Sequence, residues 1–302
     1  MPLYACAFAP VAPDEQTACP CVACRFGHGA RRPPRPRRYT SDGTDTEGGL
    51  VEPLMPRPAW PDGNGGRPKE YRRRQVADAI GYVIDNGVKW RNPPADFPPW
   101  RTVHAIFTRW YGDAVPSDPR AKARRSQGRQ TEPSAAIIDS QSLRAAETVG
   151  VDTRGFDAGK KTPGRKRHVI VDCLGRLLVV MVTAASVQDR DAARPALAYR
   201  RELFERITPV WADGGYAGSL GDRAKEKLRI TVEIVKRSAD VCGFVVLPRR
   251  WVVERTSSWL LRRRRLVRDY ERLPEHHEAM VKWSMVQLMA RRLARPASAK
   301  SP

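Results

Sequence analysis

Apolar residues recur at helical spacing over 70–86, where Val76, Ile80, Val83 and Ile84 would share one face. Gly87 follows, suited to the left-handed residue that ends a helix. After the proline-rich turn Pro93–Pro99, a second helix is expected from about Trp100 to Tyr111, with Val103, Ile106, Phe107 and Trp110 on one face. From residue 134 the pattern changes to short strands. Ala135-Ala-Ile-Ile-Asp139 reads as a buried strand ending in an acid, and 167–172 and 177–183 as the arms of a hairpin turning at Leu174-Gly175. A helix over about 191–206, a strand over 209–213, a helix near 219–229 and a strand over 231–235 follow. Two helices, near 250–265 and 275–294, close the chain. Strands in series, then alternating helices and strands, predict an α/β fold: a mixed sheet with helices on both faces, preceded by a small helical domain.

Between these periodic stretches the pattern lapses. Residues 1–39 show no period and carry the basic run Arg31–Arg38; they read as a disordered leader, or alternatively as a DNA-contacting arm. Residues 40–66 are rich in Gly and Pro, with Leu50–Leu54 the one apolar patch. The expected divisions are therefore a leader over 1–39, a helical domain over 40–112, a linker over 113–133 and an α/β domain over 134–296. Two amphipathic helices in a basic setting fit a helix-turn-helix-like DNA reader or a plain helical subdomain; the intervening turn is long for the former.

Charge changes the picture more than composition does. The 302 residues hold 54 Lys+Arg against 33 Asp+Glu, a net charge of +21. A field of that sign favours polyanions, either nucleic acid or an anionic membrane. No run of 18 apolar residues occurs, so no membrane-spanning helix is expected. The first 15 residues lack a basic start followed by an apolar stretch, and the expected location is the cytoplasm, in association with the nucleoid. Of the six cysteines, Cys6, Cys19, Cys21 and Cys24 fall in the leader; with His28 they fit no common zinc spacing. Cys173 and Cys242 read as core thiols.

Three acids stand out. Asp139 and Asp213 each end an apolar strand and precede small or polar residues. Sites in open α/β sheets gather at the carboxyl ends of strands, and two carboxylates there repel unless a cation lies between them. Glu254 is the one acid between Val241 and Arg268, among eight arginines, and on a helix it would share a face with Ser258 and Arg262. Singly, each acid has a plainer reading: a turn cap for either Asp, a helix ion pair with Arg250 for Glu254. Together, in so basic a chain, they suggest a two-metal site for phosphoryl transfer. Candidate DNA contacts are Arg249, Arg250, Arg255 and Arg262, with Lys160, Lys161, Arg165, Lys166 and Arg167 in the loop before the second strand. That second cluster reads alternatively as a solvated loop.

The motifs Ile138-Asp-Ser-Gln-Ser142, Gly155-Phe-Asp-Ala-Gly-Lys-Lys161, Gly164-Arg-Lys-Arg-His168, Trp211-Ala-Asp-Gly-Gly-Tyr216, Arg249-Arg-Trp-Val-Val-Glu-Arg255 and Arg268-Asp-Tyr-Glu271 resemble those of DDE transposases of bacterial insertion sequences, in the insertion-sequence-five family. The resemblance covers about residues 40–295. It implies a ribonuclease H-like catalytic domain, with the catalytic and metal-binding acids falling on Asp139, Asp213 and Glu254. It also implies Mg2+ dependence, with Mn2+ as a substitute, and DNA cleavage and strand transfer at terminal inverted repeats into target DNA. A homodimer is expected, since two element ends must be paired. The segment Leu50–Trp110, with Lys89-Trp-Arg91 and Phe97-Pro-Pro-Trp-Arg101, resembles the family's N-terminal DNA-binding region. Glycines stand at 43–49 where that family usually has an apolar helix. Two alternatives stay open: a nuclease that cuts without joining, and a catalytically inactive DNA-binding remnant or repressor of the same element.

Overall fold

In the computed structural model, residues 35–55, 71–110, 117–235 and 248–295 are described. The cysteine cluster of the leader, His28 and Cys242 lie outside the described residues. The chain divides into two compact units, 1–119 with 286–302, and 120–285.

In the first unit, a helix forms where the glycines argued against one. Helix α1, Asp45–Val51, starts at Thr44, whose side chain accepts the Glu47 amide at 3.2 Å. The Glu47 carboxylate accepts the Thr44 amide in return at 3.3 Å. This reciprocal capping box, with Asp45 and Glu47 in the first turn, carries Gly48 and Gly49 into helical conformation. Helix α2, Arg73–Asn86, and helix α3, Trp100–Trp110, match the expected periods. Val76, Ile80, Val83, Ile84, Val103, Ile106 and Phe107 are all buried, and Gly87 ends α2 at φ 71°. Residues 35–39, expected in the leader, join this unit. The Arg35 guanidinium lies 4.0 Å from the Phe97 ring centroid and pairs with Asp42 at 2.9 Å and Asp96 at 2.8 Å. Tyr39 packs its ring on Tyr82 and Phe97.

Within the expected linker runs helix α4, Ser117–Arg125, which has no apolar stripe to announce it. Charge ties it down: Arg124 donates to the buried Asp172, and Arg176 donates to the Ala123 carbonyl. Asp172 also accepts the amides of Leu174 and Arg176, both at 2.9 Å, and so shapes the hairpin turn. Cys173, in that turn, is exposed rather than a core thiol.

The sheet is built from β1 Ala136–Arg144, β2 Gly155–Asp157, β3 Thr162–Asp172, β4 Leu177–Ala184, β5 Pro209–Ala212 and β6 Thr231–Ile234. β1 lies at its centre, antiparallel to β3 on one side and parallel to β5 on the other. β4 runs antiparallel to β3, β6 runs parallel to β5, and the short β2 pairs with the start of β3. Helices α5, Asp189–Leu203, and α6, Leu220–Leu228, bury one face. Ala136, Ile138, Ile170, Val210 and Ala212 meet Ala193, Leu197, Leu220 and Ala224 in that core. Helix α7, Pro248–Leu261, packs against β1, β3 and β5, and α8, Pro274–Ala294, closes the chain. α7 ends one residue before Arg262, short of the expected 265. Among the described residues no helix is long and apolar enough to cross a membrane.

Candidate active site

Strand periodicity and register bring the two aspartates together. Ala136 and Ile138 point into the α5–α6 core, as do Val210 and Ala212, so the odd-numbered residues of both strands face α7. β5 pairs with β1 only through Ala136↔Val210 and Ile137↔Trp211. Continuing that register by two residues sets Asp139, within β1, level with Asp213, whose still extended backbone lies just past the end of β5, and the charge of Asp213 bears on Asp139. β1 does not end at Asp139, as the sequence suggested; it continues to Arg144 because β3 pairs along its full length. What stops near Asp139 is the parallel pairing with β5, whose last pair is Ile137 with Trp211.

α7 supplies the third acid. Val253, Thr256 and Leu260 turn inward at helical spacing, and the Thr256 hydroxyl donates to the Gly175 carbonyl at 2.9 Å. This anchors the helix across the sheet and leaves Arg250 and Glu254 on a flank. One guanidinium nitrogen of Arg250 lies 3.5 Å from the Glu254 carboxylate and 3.9 Å from that of Asp213. The plainer reading of Glu254, an ion pair one turn away, is thus present, and it extends to Asp213. Likewise Asp213 does cap a turn, accepting the Gly215 amide at 2.9 Å.

Burial pushes the Asp139 carboxyl up to about 6, and the neighbouring Asp213 adds to that. The Ser140 amide, donating at 2.8 Å, and the charges of Lys160 and Arg250 pull the other way. Tyr216, which sequence reasoning singled out only as part of a motif, is buried beside them. Burial and the charges of Asp139, Asp189 and Asp213 keep its hydroxyl protonated. His168 is held neutral by burial, at about 4, and bonds Thr183 through Nε2 at 3.0 Å; it is placed as structure rather than as a base.

The carboxylate donor set is the hard-oxygen chemistry that Mg2+ takes, usually as one or two carboxylates plus water and phosphate oxygens. Among the described residues no three His, Cys, Asp or Glu side chains stand close enough to grip an ion together. The Arg250 guanidinium between Asp213 and Glu254 supplies positive charge between two acids that would otherwise repel.

The expected DNA contacts separate into two groups. Arg165, Lys166 and Arg167 are not in a loop: β3 begins at Thr162, and all three lie inside this doubly flanked strand. Arg165, 0% exposed, pairs with Asp269 at 3.0 Å and donates to the carbonyls of Glu271 and Arg272. Arg167, 1% exposed, bonds Gln141 and contacts His277 Nε2 at 3.4 Å. Lys166 is buried between Asp157 and Asp189. None of the three is available to a phosphate. Arg255 is half-buried, donating to the Leu174 carbonyl and lying over the Trp259 ring. Lys160, Lys161, Arg249 and Arg262 are exposed, and Arg250 is partly so. Arg249 rests on the Trp211 ring and pairs with Glu233 at 3.1 Å.

The raised Asp139 carboxyl has a thermodynamic signature. Its folded value of about 6 lies above the ordinary 3.8. Between the two, the folded chain holds a proton that the unfolded chain has released, so this group makes stability fall as pH rises through that window. Without divalent ions, Asp139→Asn is therefore expected to melt higher than the parent at pH 8, with the gain vanishing near pH 4. Thermal unfolding at the two pH values checks this; an equal or lower melting temperature at pH 8 contradicts it.

Residues 130–289 match the family model "Transposase DDE domain", a segment that encloses all three acids. Residues 44–117 match "Putative transposase of IS4/5 family". A Burkholderia cepacia protein named "Putative transposase for insertion sequence element IS402" is 35% identical over 127 residues. That alignment covers 40% of this chain and 60% of the relative. The domain implies a ribonuclease H-like fold, and the mixed sheet described above, with its antiparallel half and parallel half, agrees with it.

Proposed function

The chain belongs to the DDE transposases, and on that premise we propose that it cuts and joins DNA at the terminal inverted repeats of an insertion sequence, with Asp139, Asp213 and Glu254 as the catalytic carboxylates. The finer placement is in the insertion-sequence-five family, acting as a dimer on the bacterial nucleoid. The observation that carries the reading is the shared level of Asp139 and Asp213 on adjoining parallel strands, with Glu254 joined to Asp213 through Arg250.

The division of labour follows from the residues. Asp139, Asp213 and Glu254 would hold Mg2+, with Mn2+ as a substitute, once Arg250 gives way and the three carboxylates draw in from the wider spacing they have here. When bound, the metal neutralises charge on the phosphate and lowers the barrier to proton loss from the attacking oxygen. Asp139 releases its proton more readily once a cation faces it, which couples binding to pH. Arg250, released from the two acids, is placed to meet a phosphate oxygen of the DNA. The attacking oxygen, from water in cleavage and from a DNA 3′-hydroxyl in joining, bonds to phosphorus as the bond to the leaving oxygen breaks. Positioning and charge neutralisation carry most of such a reaction, and the chain's part is to hold the phosphate in line. The helical unit of α1–α3 is proposed to read the inverted repeats.

Exposed cations should dominate affinity. Removing Lys161, Arg249 or Arg262 is expected to weaken DNA binding and to reduce the slope of log affinity against log salt by about 0.9 per lost phosphate contact. Filter binding or fluorescence anisotropy across a salt series reads this slope. Unchanged slopes for all three would place the DNA elsewhere. A strand-transfer assay with pre-cut inverted-repeat ends separates a transposase from a nuclease: joined product is expected, and cleavage of uncut DNA without any joining would overturn the reading.

A further inference from the structure

Asp157 lies outside the three acids, yet four donors converge on it beside them. The Ser142 hydroxyl donates to one carboxylate oxygen at 2.5 Å, and the amides of Gly159 and Lys160 each donate to the other at 3.0 Å. The Lys166 ammonium stands 3.4 Å away, itself fixed by Asp189 at 3.1 Å and by the Val187 carbonyl at 2.9 Å. Burial alone would raise this carboxyl; those partners hold it at about 2 instead. The carboxylate therefore closes the turn between β2 and β3 as a permanent anion. Lys161, next in the turn, takes φ 48°, a left-handed conformation that side chains other than glycine's adopt only when neighbours impose it.

This closed turn aims one side chain. Lys160 Nζ crosses to β1 and donates to the Ser140 carbonyl at 3.1 Å, with the Ser140 hydroxyl at 3.5 Å. Ser140 directly follows Asp139. An exposed lysine is ordinarily a mobile charge; this one is tethered at both ends. An ammonium has three N–H donors, and the contacts with Ser140 occupy two of them at most.

We propose that Asp157 is a positioning residue: it locks the 157–161 turn so that the Lys160 ammonium stands beside Asp139 and gives its remaining donor to a non-bridging oxygen of the DNA phosphate that reacts there. This rests on the function proposed above, but the positioning itself can be measured without DNA. Lys166, buried between Asp157 and Asp189, braces the turn from below and takes no part in binding.

The test uses the full chain in two arms. In the first, without DNA or metal, lysines are labelled with acetic anhydride and followed by mass spectrometry. Lys160 is expected to label more slowly than its neighbour Lys161, and Asp157→Asn to bring the two rates together. Ser142→Ala, a milder change that leaves the charge of Asp157 in place, is expected to shift Lys160 part of the way. If Lys160 labels as fast as Lys161 in the parent, or if neither variant alters it, the positioning claim is overturned. In the second arm, single-turnover cleavage of inverted-repeat DNA with Mg2+, at DNA concentrations that saturate each variant, is expected to slow about 10- to 100-fold in Asp157→Asn. Asp157→Asn combined with Lys160→Gln should lose no more than Lys160→Gln alone, since both act through one ammonium, and Lys160→Arg should retain part of the rate. Losses that multiply would make Asp157 a general structural residue and overturn the proposal. A parent protein that cleaves no DNA contradicts the functional reading, while the labelling arm still decides the positioning.

Discussion

Asp139→Asn, Asp213→Asn and Glu254→Gln are each expected to abolish Mg2+-dependent cleavage of inverted-repeat DNA while leaving DNA binding in place. The expected loss is large because these groups are called on during the reaction rather than for docking. A bound metal contributes several kcal/mol of charge stabilisation to phosphoryl transfer, so losing its ligands should cost on the order of 10³-fold or more in rate. Binding should persist, since the exposed cations and not the acids hold the phosphate backbone. The three variants should not be equivalent before DNA is added. Asp139 is partly buried and its carboxyl already raised, so its amide variant, of the same shape but without the charge, fits in its place with little disturbance. Asp213 and Glu254 are more open and share Arg250, so either substitution frees that guanidinium from one partner. Cleavage assays alongside anisotropy with the same duplex separate the two effects. Near-parental cleavage by any one variant would remove that residue from the site.

The second large effect is on stability. Asp269→Ala is expected to destabilise the α/β unit by about 3–5 kcal/mol, the cost of stranding a buried charge by removing its partner. Asp269 is 0% exposed and lies 3.0 Å from the equally buried Arg165 and 3.2 Å from His277. Burial would raise its carboxyl, but His277, the Glu271 amide, donating at 2.9 Å, and the charge of Arg165 hold it below the ordinary range. The backbone of Asp269 also bridges to the end of β1, through the Arg144 carbonyl at 2.9 Å and the Ala146 amide at 2.7 Å. Arg165, in turn, ties β3 to the segment between α7 and α8 through the Glu271 and Arg272 carbonyls. For a domain of this size the loss corresponds to a fall in Tm of about 10 °C or more. The depressed carboxyl adds a pH signature: its stabilisation is present above the ordinary carboxylate value and fades as pH falls through the lower folded one. Chemical denaturation of parent and variant at neutral pH measures the effect. A cost under about 1 kcal/mol would mean that water reaches Arg165, and would return it to the list of possible DNA contacts.

That pair marks the limit of what the sequence discloses. The three candidate acids stand out because each breaks a local pattern: Asp139 and Asp213 follow apolar strands, and Glu254 stands alone among arginines. The hairpin of β3 and β4, the alternation after it and the amphipathic faces of α2 and α3 were legible for the same reason, since burial repeats with the period of the backbone. The burial of Arg165 and Arg167 is not written in the local sequence, because their partners are remote: Asp269 lies 104 positions from Arg165, and His277 lies 110 from Arg167. No local period encodes a buried charge whose partner is so distant. Helix α4 leaves no apolar period in the sequence, because it is held by Arg124 on Asp172 rather than by an apolar stripe. Helix α1 differs. Thr44 and Glu47 have the spacing of a capping box, and that signal was present beneath the glycines. The level of Asp139 with Asp213 depends on the register between β1 and β5, which only the folded sheet sets.

Iron-directed hydroxyl-radical cleavage of the polypeptide tests the central claim most directly. With hydrogen peroxide as oxidant and ascorbate to re-reduce the iron, Fe2+ placed in a Mg2+ site generates hydroxyl radicals that cut the backbone within a few ångströms, and the fragments report which residues hold the ion. With inverted-repeat DNA bound, cuts are expected beside Asp139, Asp213 and Glu254 together, competed away by excess Mg2+ and absent in the amide variants. Cuts clustered elsewhere, or beside only one of the three, would contradict a shared metal site.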